Sequence, residues 1–190
     1  MFRTLLLAVS FAGLATGQTL ALTNPPAKPN PQSAPVSSEP ETTTATYGVW
    51  TLRCTHRQVG GAMRRFCEVE QAVVPRGQQN PIAQIGVGRL SPKDDMRLTV
   101  VLPTNITFRY APKVTAQDKD PGVELTWQRC LPGGCIADAV LKDDVLRTWH
   151  AIAADTGRVL FTNAAGQKVA VEFSFRGFGQ AMDAFARERS

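Results

Sequence analysis

The stretch KVAVEFSF, residues 168–175, decides the fold class. Val169, Val171, Phe173 and Phe175 alternate with Lys168, Ala170, Glu172 and Ser174. A period of two is what a strand with one buried face requires, because successive side chains leave opposite sides of the backbone. The same alternation recurs upstream: Trp50, Leu52 and Cys54; Met96, Leu98, Val100 and Leu102; Ile106, Phe108 and Tyr110; Val123, Leu125 and Trp127. PIAQIGVGRL (81–90) reads as a further strand, weakened by Gly86 and Gly88. Asn163-Ala164-Ala165-Gly166 joins the last two strands as a hairpin. Many short strands at near-regular spacing predict a mainly β, two-sheet sandwich. Two helices interrupt it. Asp143 or Asp144 is suited to cap one that carries Val145, Leu146, Trp149 and Ile152 on one face. A C-terminal helix beginning near Gly179 shows Phe178, Ala181, Met182 and Phe185 at i, i+3, i+4 and i+7.

The chain has 190 residues, 43% hydrophobic and 19% charged, which allows one domain or two small ones and excludes both wholesale disorder and a polytopic membrane protein. Residues 1–21 read as a signal peptide. Arg3 supplies a positive start, Leu5 to Ala15 an apolar run, and Ala15-Thr16-Gly17 or Thr19-Leu20-Ala21 a small-residue cleavage site. The alternative, an uncleaved anchor over 4–23, is opposed by Gly13, Thr16, Gly17, Gln18 and Thr19, and no basic residue flanks its far end. Residues 22–46 form a Pro/Ser/Thr-rich stretch in which, from Asn24 on, Val36 is the one sizeable apolar side chain; it is too polar to order itself and so reads as a disordered linker. The folded domain is 47–190, large enough to hold a real core. It carries 19 Lys and Arg against 14 Asp and Glu, the whole of the net charge of +5.

An exported chain meets oxidising surroundings, so Cys54, Cys67, Cys130 and Cys135 are expected as two disulfides. Four cysteines allow three connectivities. Spacing favours Cys54–Cys67, closing a hairpin, and Cys130–Cys135, clamping the Pro132-Gly133-Gly134 turn. The spacing matches no common zinc site, and a redox pair is more usually C-x-x-C. No metal site and no cofactor are expected.

Catalytic constellations mostly fail. His56 and His150 lack the nucleophile and orienting carboxylate of a triad, and no G-x-S-x-G elbow is present. Asp155-Thr156-Gly157 spells an aspartic-protease triplet, but that chemistry needs a second carboxylate and an apolar strand leading into the Asp. The expectation is no catalytic residue and no enzyme. One charge feature stands out. Arg53, Arg57, Arg64 and Arg65, with His56, lie in thirteen residues that contain no acid, and Thr55 to Arg65 reads as a loop of the disulfide-closed hairpin. Clustered guanidinium groups hold phosphate or carboxylate by paired hydrogen bonds. Nucleic acid is not the expected target after export, whereas an anionic envelope or host component, an acidic protein or a peripheral membrane contact is.

Trp50-x-Leu52-x-Cys54, Cys67-x3-Gln71, Leu125-Thr126-Trp127-Gln128-Arg129-Cys130 with Cys135-x-Ala137, and Phe175-Arg176-Gly177-Phe178-x2-Ala181 occur in that order. Together, over about 47–186, they resemble the invasion-associated locus B family of exported bacterial proteins. The resemblance implies an immunoglobulin-like β-sandwich, a periplasmic, secreted or cell-surface location, and the same two disulfide pairs. It carries over no catalytic residue. Its motif residues read as structural: Trp50 and Trp127 as core aromatics, Gln71 as part of the cysteine motif, and Gly177-Phe178 as a turn before the last helix. The function expected is a non-catalytic binding or adhesion module acting in host-cell invasion or at the envelope; the alternative is a chaperone-like envelope-assembly factor.

Overall fold

The computed structural model describes residues 40–117, 120–153 and 155–188; the signal peptide expected at 1–21 and the linker as far as 39 lie outside them. Within these residues the strands β1 (Thr42–Tyr47), β2 (Trp50–Val59), β3 (Ala62–Val73), β4 (Ala83–Gly88), β5 (Arg97–Leu102), β6 (Lys113–Thr115), β7 (Val123–Glu124), β8 (Thr126–Leu131) and β9 (Gly134–Val140) precede helix α1 (Asp143–His150). Strands β10 (Thr156–Thr162) and β11 (Lys168–Ser174) and helix α2 (Phe178–Arg187) complete the chain. Antiparallel pairing builds one sheet in the order β1-β2-β3-β4-β5-β9-β8 and a second in the order β11-β10-β6-β7. The protein is thus the mainly β sandwich with one internal and one C-terminal helix that the alternation predicts.

The core lies between the sheets. Val171, Phe173 and Phe175 are buried, and Trp50, Leu52, Val69, Ile85, Val87, Leu98 and Val100 meet them from the larger sheet. Helix α2 buries Phe178, Ala181, Met182 and Phe185, the stripe its sequence displays, against β1, β2 and β3. Trp50 stands edge-on to Phe178 with ring centroids 4.8 Å apart, and Trp149 of α1 stands edge-on to Phe175 at 5.6 Å. Edge-to-face geometry sets the positive rim of one ring against the negative face of the next.

One polar group sits inside this apolar layer. Gln71 is 6% exposed, and its amide is matched chiefly to one backbone residue of the other sheet, with a longer bond from Nε2 to the Val49 carbonyl at 3.5 Å. Its Nε2 donates to the Ser174 carbonyl at 3.1 Å, and its Oε1 accepts from the Ser174 N–H at 3.1 Å. Trp50 Nε1 donates to the same carbonyl at 2.8 Å. Ser174 ends the edge strand β11, so its peptide groups would otherwise be buried without a ladder partner. Below this clasp the chain passes itself closely. Gly177 has φ +92°, and a Cβ there would run into the Tyr47 carbonyl; Gly48 faces Arg176 in the same way. Val49 N–H donates to the Arg176 carbonyl at 3.1 Å, locking the crossing.

Both disulfides follow the spacing. Cys54 and Cys67 are directly opposite on β2 and β3, and Cys130 and Cys135 on β8 and β9. Four expectations need correction. The expected linker does not run to 46, because β1 occupies Thr42–Tyr47 and pairs with β2 from Thr42↔Thr55 to Tyr47↔Trp50. Ile106, Phe108 and Tyr110 make no strand beyond one isolated bridge, Ile106↔Asn163. The run Val123 to Trp127 is not one strand: β7 ends at Glu124 in the small sheet and β8 starts at Thr126 in the large one, the chain changing sheets at buried Leu125. The cap of α1 is Lys142 rather than an aspartate; Asp143 and Asp144 sit in the first turn, where their charge favours the positive end of the helix.

Replacing Gln71 by Leu would leave the Ser174 N–H without a buried partner and its carbonyl with the Trp50 indole alone. Gln71→Leu is therefore expected to lower unfolding stability by about 2 to 4 kcal/mol in chemical denaturation, without change of fold by circular dichroism. Replacing Cys54 and Cys67 together by Ala is expected to cost about 3 kcal/mol in the same measurement, from the loop entropy released to the unfolded chain.

Candidate functional site

Strands β2 and β3 are longer than their neighbours. The last residue of β2 paired with β1 is Thr55, and the last residue of β3 paired with β4 is Glu68. From there to the tip the two strands pair only with each other, through His56↔Arg65, Arg57↔Arg64, Gln58↔Met63 and Val59↔Ala62. Gly60 and Gly61 make the turn with φ +59° and +82°, the left-handed pair that matches a tight hairpin to strand twist. Thr55 to Arg65 is therefore a two-stranded ribbon overhanging the sandwich rather than a loop.

Period two divides the arginines between the faces of this ribbon. Arg65 shares the core-side face with His56, Cys54 and Cys67, and its Nη2 reaches Glu188 just beyond α2 at 2.8 Å. Arg53 lies on the outer face, engaged by Glu70 at 3.1 Å and Glu68 at 3.9 Å. These two arginines brace the root of the ribbon together with the Cys54–Cys67 disulfide. His56 N–H adds a bond to the Glu41 carbonyl at 2.8 Å. Arg57 and Arg64 are different. They stand directly opposite each other on the outer face, and neither has an ion-pair partner among the described residues. Beyond them the tip exposes Met63 at 65% and Val59 at 46%. The four expected arginines thus resolve into two structural residues and two that face outward, beside an apolar tip.

The site's electrostatics turn on Glu68. Its side chain is 52% exposed, yet the packed root of the ribbon pushes its carboxyl above the ordinary value of 4.5, first by partial desolvation and then by neighbouring Glu70, with Arg53 and Arg57 opposing. Desolvation outweighs the attraction of the two guanidinium groups.

Comparison with known proteins gives the family at this point. The model of the Invasion associated locus B (IalB) protein family matches residues 50–186. The chain belongs to the IalB family. The crystal structure of invasion associated protein B from Bartonella henselae superposes with a TM-score of 0.63 at 18% identity, covering 77% of this chain and 99% of that one. At that identity the likeness shows the fold. No curated protein matches the chain.

The IalB-family motif residues take the places just described, with one exception. Gln71 and Trp50 form the clasp, and Gly177 with Phe178 opens α2, but Trp127 packs against the margin of the core rather than inside it. It lies half-buried on the edge strand β8, its ring 5.3 Å from that of exposed Phe108 and its Nε1 donating to the Tyr110 carbonyl at 3.0 Å. His150 joins the helices through Asp183 at 2.8 Å. Asp155 accepts from Gln117 at 3.0 Å and opens β10, a turn as expected. Cys54, Cys67 and Glu188 converge within 4.8 Å, yet both sulfurs are spent in the disulfide, which leaves a single carboxylate that already binds Arg65. Among the described residues no helix is long and apolar enough to cross a membrane.

The raised pKa of Glu68 sets a sign. The folded chain binds this proton more tightly than the unfolded chain, so stability falls as pH rises through the window above 4.5. Glu68→Gln is expected to remove that fall. Denaturation curves at pH 4 and pH 7 should show the variant gaining on the wild type as pH rises.

Proposed function

We propose that this IalB-family chain is an exported, non-catalytic binding module of the bacterial envelope, and that the β2–β3 overhang is its contact with an anionic surface. One observation carries the reading: Arg57 and Arg64 are held side by side at the end of a braced ribbon, with no carboxylate within ion-pair distance among the described residues. Like charges directly opposite on a sheet cost stability, and the nearby Glu68 acts on Arg57 without closing an ion pair, so an anion outside the chain would relieve the pair. Exposed Val59 and Met63 give the same tip apolar area to bury in an interface. Two disulfides fit an oxidising compartment, and the apolar run at 5–15 fits an export signal. The family description, invasion associated, agrees with a part that would dock on a host or bacterial surface.

A chaperone-like role is the second reading. It is favoured by Phe108, Tyr110 and Leu131, exposed at 55%, 54% and 49%, which an unfolded client would cover. Salt separates the two, because charge-led binding weakens with ionic strength and apolar binding does not. The chain is expected to sediment with vesicles of phosphatidylglycerol and phosphatidylcholine at low salt and not with phosphatidylcholine alone. Each arginine near such a surface contributes about 1 kcal/mol, so Arg57→Gln with Arg64→Gln should weaken binding roughly thirty-fold. Unchanged binding by the double variant would refute the assignment to the hairpin. Salt-insensitive suppression of client aggregation would favour the second reading.

A further inference from the structure

A groove of about 480 Å³ opens on the small sheet, remote in sequence from the hairpin. Cross-strand register defines its floor. Lys113 of β6, Leu160 of β10 and Ala170 of β11 form one row, and Thr162 and Lys168 sit opposite each other in the next. These side chains alternate with the core residues Val114, Val159 and Val171, so they occupy the face turned away from the core. Tyr110 supplies a wall. Neither helix covers this face: α2 packs against β1, β2 and β3, and α1 against α2.

The lining has a defined chemistry. Leu160 and Ala170 make an apolar floor, and Lys113 and Lys168 are cations on the two strands that flank β10, roughly 12 Å apart along a diagonal of the sheet. Neither ammonium has an ion-pair partner among the described residues, even though Glu124 is the register neighbour of Lys113. No carboxylate lines the groove. Thr162 is 8% exposed and lines the same groove. The volume falls within the range of about 300 to 1,000 Å³ usual for small-ligand sites.

An apolar floor flanked by two lysines, with no carboxylate in the lining, fits a ligand that has an apolar body and an anionic end. We infer that this groove binds a long-chain fatty carboxylate. The tail lies over Leu160 and Ala170, and the carboxylate is held between the ammonium groups of Lys113 and Lys168. The two lysine stems reach inward over the sheet and close on one head group, while their methylenes extend the apolar surface. The site is separate from the arginine hairpin and stands or falls independently of it.

Titration calorimetry of the purified chain with oleate below its micelle concentration tests the assignment. One-to-one binding is expected, with the negative heat-capacity change of apolar burial. Oleyl alcohol, which keeps the tail and lacks the charge, should bind at least tenfold more weakly, as should acetate, which keeps only the head. Lys113→Ala with Lys168→Ala should weaken oleate at least tenfold. Ala170→Trp, on an exposed position of an edge strand, should fill the groove and abolish binding while the melting temperature stays within a few degrees. Arg57→Gln with Arg64→Gln should leave oleate affinity unchanged. Failure of oleate to bind, or equal binding by the Ala170→Trp and double-lysine variants, would overturn the inference.

Discussion

The pairing of the Gln71 amide with the backbone of Ser174 is the constraint on which the rest of the arrangement depends. A sandwich is held together mainly by apolar burial, which has no direction and tolerates sliding of one sheet over the other. A side-chain amide bound to both the N–H and the carbonyl of one residue fixes that register, and the Trp50 indole adds a third bond to the same place. Its neighbours in the chain are then determined. Phe173 stands edge-on to Trp50 and Phe175 edge-on to Trp149, and the next residues, Arg176 and Gly177, cross Tyr47 and Gly48 closely enough to require glycine at both crossings. Helix α2 starts from that crossing and covers the inner face of β2 and β3.

This has a mechanical consequence for the hairpin. The strands that carry Arg57 and Arg64 are the strands that carry Trp50 and Gln71 at their other ends. The clasp, the α2 contact, the Cys54–Cys67 bridge and the Arg65–Glu188 pair hold everything up to the root, and only the tip extends past the neighbouring strands. The two outward guanidinium groups are thereby presented on a backbone whose ordering cost is met in folding rather than in binding.

Much of the fold was legible because period-two alternation reports burial directly, and it did so for β2, β5 and β11. It failed where strands have no core beneath them. From Thr55 to Arg65 the ribbon overhangs, so neither face is apolar and the stretch reads as a loop; Gly60-Gly61 was the local signal of a tight turn that contradicted this reading. Strand β1 is likewise exposed on an edge, and its β-branched Thr42, Thr43 and Thr44 were masked by the proline-rich composition before them. Conversely, Phe108 and Tyr110 alternate without a ladder partner, the aromatic ring of Phe108 being satisfied against Trp127. The division of the arginines into structural and outward pairs was a matter of register, fixed only when the turn position is known. The lysine groove was not legible, because Lys113 and Lys168 lie far apart in the chain and meet only through β10.

The most direct measurement of this account is native-state hydrogen exchange read residue by residue. The Ser174 amide should exchange as slowly as the most protected core amides, through global unfolding, and protection should persist along β2 and β3 to the level of Cys54 and Cys67 before dropping towards Gly60 and Gly61. Rapid exchange at Ser174, at the rate of an exposed edge amide, would contradict the clasp and with it the account of how the sheets and the hairpin are held.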